Sequence, residues 1–79
     1  MTVKTTITEI FLQENRNITL EDDDDYQAMF KEVGIDSLDL VMATLKIGEH
    51  YALEFNDEDL EEIETVNELV SFIERKTAQ

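Results

Sequence analysis

The sequence contains no cysteine, no proline and no tryptophan, a single histidine, and only two glycines, Gly34 and Gly48. Without cysteine there is neither a disulfide staple nor a thiolate metal site. His50 has no cysteine or second histidine with which to share a zinc ion, and these gaps together leave little catalytic equipment. With proline absent and glycine sparse, no stretch reads as a linker, and no internal repeat is evident. No apolar run approaches the roughly 20 residues that a membrane span needs. The opening residues, Met1-Thr2-Val3-Lys4-Thr5-Thr6, lack the cationic-then-apolar plan of a signal peptide. These absences lead us to expect a soluble, cytoplasmic protein.

Basic residues are scarce as well. Six Lys and Arg stand against 20 Asp and Glu, a formal net charge of −14 at pH 7. Such a surface repels phosphate backbones, which argues against nucleic-acid binding. It also avoids anionic membranes and attracts basic patches on partner proteins. What is present suffices for one small domain, residues 1–79, with 42% apolar residues. A chain of this size buries only about 60% of the surface its unfolded form exposes, so its margin of stability is thin.

Periodicity favours helices. Ile7, Ile10 and Phe11 recur at helical spacing, and Thr6 with Glu9 has the form of a capping box, predicting a first helix over 7–14. A polar stretch over 15–25 follows, in which Ile18 and Leu20 tuck under the body of the protein. Tyr26, Met29, Phe30 and Val33 suggest a short helical turn of core residues, stopped by Gly34. Asp36 and Ser37 are both good caps for a second helix over 37–51. Asn56 or Asp57 caps a short third helix over 58–63. Thr65 with Glu68 opens a fourth, ending near Lys76 with Arg75 and Lys76 at its negative pole. No segment sustains the alternation of a strand. The expected fold is all-α: a small four-helix bundle with three longer helices, a short third helix and a long first loop.

The second helix carries two apolar stripes. Leu40, Ala43, Ile47 and Tyr51 fall together at 100° per residue; Leu38, Val41, Met42 and Leu45 fall on roughly the opposite side. Either this helix is buried all round, or the second stripe is an exposed docking surface. Ser37 lies at the helix start, beside that stripe. Read from the residues alone, a serine there is more often an N-cap than a modified residue, and no general base is in evidence.

Gly34-Ile35-Asp36-Ser37-Leu38-Asp39-Leu40-Val41 resembles the attachment motif of acyl carrier proteins. Phe30-Lys31-Glu32-Val33-Gly34 resembles the family's lead into that motif, and Glu54-Phe55-Asn56-Asp57-Glu58-Asp59 resembles its entry to the third helix. The likeness covers most of the chain, roughly 7–75. It implies a carrier with no catalytic residues of its own. In this resemblance Ser37 takes a covalent 4′-phosphopantetheine arm from coenzyme A through a separate phosphopantetheinyl transferase, and Asp36 lies near that enzyme's metal. The arm imports the sulfur that this cysteine-free chain lacks. Leu38, Val41, Met42 and Leu45 are then the docking face that meets acyl-transferring synthases or ligases, and Asp39 and Glu49 supply acidic contacts to basic patches on them. A monomer is expected.

Some positions depart from the family pattern. Met42 stands where many fatty-acid carriers have glutamate, and Asn56 replaces the usual proline before the third helix. Lys46 and Gly48 dilute the acidity of the second helix, and Gly48 is expected to cost about 1 kcal/mol relative to alanine and to loosen the helix's second half. These departures suggest a specialised discrete carrier for fatty-acid or polyketide-type biosynthesis. Aminoacyl and D-alanyl carriers, and an unmodified acidic interaction module, stay open as alternatives. The run Glu21-Asp22-Asp23-Asp24-Asp25 reads as a solvated loop, with a divalent-ion site as the sharper alternative. Asp57, Asp59 and Glu61 alternate like the start of a calcium loop but lack its glycine and closing glutamate, so no metal site is assigned. His50 is read as a surface or hinge residue.

Overall fold

The computed structural model describes residues 2–78. Five α-helices follow one another: α1 (Val3–Glu14), α2 (Asp23–Gln27), α3 (Ser37–Tyr51), α4 (Asp57–Glu62) and α5 (Val66–Thr77). A 3₁₀ turn, Phe30–Val33, lies between α2 and α3. No strand occurs among the described residues; a single isolated bridge joins Met29 to Thr65. The all-α expectation holds, with three longer helices and a short one before the last. The long first connection holds the additional helix α2.

The helices begin alike, with a side-chain oxygen of the preceding residue accepting an N–H three positions on. The caps are Thr2, Asp22, Asp36, Asn56 and Thr65. At α2, α3 and α4 the third helical residue, Asp25, Asp39 or Asp59, returns a bond to the cap's own N–H. Acids thereby collect at positive helix poles, where each contributes roughly 0.3–1 kcal/mol. Much of the negative charge is thus built into the ends of the helices.

The first helix starts earlier than its pattern suggests. Thr2, not Thr6, is its cap: Thr2 Oγ1 accepts from the Thr5 N–H at 3.1 Å. Thr6 is buried within the helix, and the expected box with Glu9 does not form. Val3 packs against the core and gives the extra turn its reason to exist. The acidic run is likewise not a plain loop. Asp22 caps α2, and Asp23, Asp24 and Asp25 fill its first turn. Lys4 supports them, pairing with Asp23 at 3.5 Å while its Nζ lies 4.2 Å over the Tyr26 ring. The expected turn through Tyr26 and Val33 is divided by extended backbone at Ala28 and Met29. Met29 therefore points outward, 41% exposed, rather than into the core.

The core draws Ile7 and Phe11 from α1, Ala43 and Ile47 from α3, and Val66, Leu69 and Ile73 from α5, all fully buried. α1 packs on α3 and α5, and α2 packs on α5. Ile18 and Leu20 do tuck under the body, and Ile35 anchors the chain just before α3. Gly34 turns the chain there with φ 88°, and a Cβ on it would lie 3.1 Å from the Asn17 carbonyl oxygen. α3 runs unbroken through Gly48. The Gly48 carbonyl accepts from both Ala52 and Leu53 N–H as the chain turns back, with Ala52 at φ 56°.

Candidate functional site on the third helix

The first turn of α3 is closed by Asp36. Its Oδ1 accepts from the Asp39 N–H at 2.8 Å, and Asp39 Oδ2 accepts from the Asp36 N–H at 3.3 Å. Of the two cap candidates, then, Asp36 does the capping. Ser37 becomes the first helical residue and is exposed. Its hydroxyl has no hydrogen-bond partner among the described residues. A free hydroxyl at the positive pole of a 15-residue helix is open to an incoming electrophile, and a phosphate formed there meets a favourable field. The neighbouring carboxylate, Asp36, is engaged in the helix cap, accepting from the Asp39 N–H.

Beside Ser37 runs the second stripe. Leu38 is 68% exposed and Leu45 60%, with Val41 and Met42 also open to solvent. The opposite stripe is turned inward, with Ala43 and Ile47 fully buried and Leu40 and Tyr51 packed on the core. Of the two readings the periodicity left open, the helix is therefore one-sided. Thr44, which neither stripe included, is buried too; its Oγ1 donates to the Val41 carbonyl at 2.9 Å and so carries no unsatisfied group inward.

The acids differ among themselves. Glu49 is exposed, as a contact residue would be. Asp39 is half-buried, and its carboxylate accepts from Asp36 and from Asn15 Nδ2 at 3.1 Å. It serves the helix first. Lys46 pairs with Glu14, so its charge is matched within the chain. His50 is exposed and stands edge-on to the Tyr51 ring, 4.7 Å between centroids. Among the described residues no group of His, Asp or Glu is arranged to hold a metal ion. None of the described helices is long and apolar enough to cross a membrane.

A cleft of about 560 Å³ opens at the lower end of the exposed stripe. Val41, Thr44, Leu45 and Gly48 line it from α3; Leu53, Phe55 and Leu60 line it from the returning chain and α4. Glu49, Glu54 and Asp57 supply its charge. The sequence singled out Val41, Leu45 and Glu49 for this face but not Thr44, Leu53 or Leu60, whose part depends on how α4 folds back. A somewhat larger cleft, about 630 Å³, lies between α4 and α5 and includes no residue of α3. Asn15 was also missed: nothing local marks it, because its partner Asp39 is 24 positions away.

This geometry accompanies a consistent set of likenesses. The family described as "Phosphopantetheine attachment site" matches residues 3–73. A protein named "Acyl carrier protein homolog" from Mycoplasmopsis pulmonis is 41% identical over 51 residues, 65% of this chain and 70% of that protein. An "Acyl carrier protein" from Coprothermobacter proteolyticus is 38% identical over 61 residues, covering 77% and 68%. Another of that name from Solidesulfovibrio magneticus is 38% identical over 48 residues, covering 61% and 62%.

Proposed function

This chain belongs to the acyl carrier protein family, a class of carriers rather than catalysts with covalently attached 4′-phosphopantetheine, and we propose on that premise that Ser37 is its attachment point. The supporting observation is the division of labour at the start of α3. Asp36 caps the helix, which leaves the Ser37 hydroxyl exposed and without a partner. In the attachment reaction Ser37 Oγ bonds to the phosphorus that bears the arm in coenzyme A, the pyrophosphate linkage breaks, and adenosine 3′,5′-bisphosphate departs. A phosphopantetheinyl transferase removes the hydroxyl proton, and Asp36 lies beside that enzyme's divalent metal. When attached, the arm supplies the thiol that this cysteine-free chain lacks and holds an acyl group there as a thioester.

Leu38, Val41, Met42 and Leu45 form the face that meets partner enzymes, with Glu49 and the outward edge of Asp39 steering basic patches toward it. Met42 makes this face more apolar than a glutamate would. That supports a specialised carrier of fatty-acid or polyketide type, working as a cytoplasmic monomer with acyl-transferring synthases or ligases. The test is mass measurement after incubation with coenzyme A and a broad-specificity transferase. The wild type gains one arm; Ser37→Ala gains none and keeps its helical signal. A gain on the alanine variant moves the attachment elsewhere. A wild type that stays unmodified with several transferases leaves an acidic interaction module instead.

A further inference from the structure

Two side-chain contacts tie the end of α1 to α3. Lys46 pairs with Glu14, and Asn15 Nδ2 donates to Asp39 Oδ2. The second contact reaches the site, because Asp39 is half of the box that closes the turn bearing Ser37. We propose that Asn15 is a positioning residue for the modification of Ser37: it holds the Asp39 carboxylate in the box and thereby fixes how the first turn presents the hydroxyl. The proposal rests on the reading of Ser37 as the attachment point.

The geometry leaves the Asn15 amide one role. Its Oδ1 accepts from the Asn17 N–H at 2.9 Å, which turns Nδ2 toward Asp39 at 3.1 Å. The backbone of Asn15 is held separately: its N–H donates to the Phe11 carbonyl and its own carbonyl accepts from the Ile18 N–H, each at 3.2 Å. The side chain is therefore not needed to close α1. Asp39 Oδ2 receives two donors, the Asp36 N–H at 3.3 Å and Asn15 Nδ2. Asp39 has no cationic partner among the described residues, so Asn15 is its only side-chain donor. Hydrogen bonds to a charged group are among the stronger ones, and leaving a half-buried carboxylate with a single donor frees it to swing toward water. Asp36, the other half of the box, adjoins Ser37 directly. Misplacing a reacting atom by about 1 Å costs on the order of a hundredfold in rate, so a partial loosening is expected to cost less.

The test uses the whole chain with coenzyme A and a phosphopantetheinyl transferase, comparing wild type, N15D, D39N and N15D/D39N. N15D sets carboxylate against carboxylate. It is expected to lower kcat for arm transfer about tenfold, the scale of one lost charged hydrogen bond, with KM nearly unchanged because the docking stripe is intact. Amide exchange at Asp36 is expected to speed up in parallel. N15D/D39N removes the repulsion but does not rebuild the arrangement, because Asp39 Oδ2 accepts from both the Asp36 N–H and Asn15 Nδ2 and an amide nitrogen in its place would face the Asp36 N–H. Since Asn15 acts only through Asp39, the double variant is expected to have a kcat no lower than that of D39N, while the lost charge of Asp39 falls on KM. An N15D chain with wild-type kcat overturns the proposal, as does a double variant whose kcat falls well below that of D39N. Either result with a wild type that is loaded normally leaves the Ser37 reading standing. A wild type that takes no arm refutes that reading and this proposal together.

Discussion

Ile47 and Leu45 are two positions apart on one helix, both large aliphatic residues, yet Ile47 is fully buried and Leu45 is 60% exposed. The difference lies in what surrounds α3. α1 packs on α3, whose Ala43 and Ile47 are fully buried, while Leu38, Val41, Met42 and Leu45 stay exposed among the described residues. The exposed stripe continues at helical spacing into Gly48, and the chain after α3 folds over it there. A Cβ on Gly48 would meet the Leu53 carbonyl oxygen at 2.7 Å. Composition thus makes a helix apolar on two sides, and topology decides which side is core. The side left open adjoins Ser37, which is why it reads as a contact surface rather than as a packing failure.

The sharpest way to break this contrast is at Ile47. Truncation to alanine is expected to cost about 2–5 kcal/mol, as for other fully buried large side chains. In a domain this small that is a large share of the total stability. Urea unfolding checks it, and a loss under about 1 kcal/mol would mean that the α1–α3 seam is looser than its burial implies. Gly48→Ala is next. In an exposed helix interior this change stabilises by about 1 kcal/mol. Here the added methyl collides with backbone rather than with a flexible side chain, so the expected sign is reversed: a loss of about 1–3 kcal/mol, in the range of overpacking. A higher urea midpoint for Gly48→Ala would show that the return over the stripe gives way easily.

That reversal illustrates which parts of the molecule were legible in the sequence. The bounds of α3 were, because the cap candidates, the apolar repeat and the helix formers agree locally. Both stripes could also be read from the sequence. The cost assigned to Gly48 was misleading because propensity describes an isolated helix, whereas Gly48 answers to Leu53 in the returning chain. The start of α1 was misplaced because Thr6 with Glu9 has the form of a capping box, whereas the cap is Thr2 and the packing of Val3 accounts for the extra turn. The acidic run read as a solvated loop, since nothing in a string of aspartates says that the second residue caps a helix and the next three occupy its positive pole. Asn15 carries no signal at all, as its partner is contributed by a distant part of the chain. The Ser37 motif was legible as a pattern. What only the fold reveals is that Asp36 takes the capping role and leaves the serine free.

The smallest expected effect on stability is the most informative about function. Leu45→Gln replaces one exposed side chain with another of similar size and should move the urea midpoint by no more than about 0.5 kcal/mol. Ile47→Gln, the matched change on the other face, buries an amide among apolar neighbours and should unfold much of the population. If the exposed stripe is the docking face, Leu45→Gln nevertheless slows acyl transfer to or from a partner synthase. Apolar anchors near the centre of an interface carry most of its energy, and they set the distance at which the thioester is delivered. Arm attachment provides the internal control, because a folded Leu45→Gln chain still presents Ser37. Transfer at wild-type rate by a folded, loaded Leu45→Gln chain would remove Leu45 from the contact surface. Unfolding as severe as that of Ile47→Gln would mean that this side of α3 is packed in solution, and the contrast between the two faces would fall while the assignment of Ser37 stood.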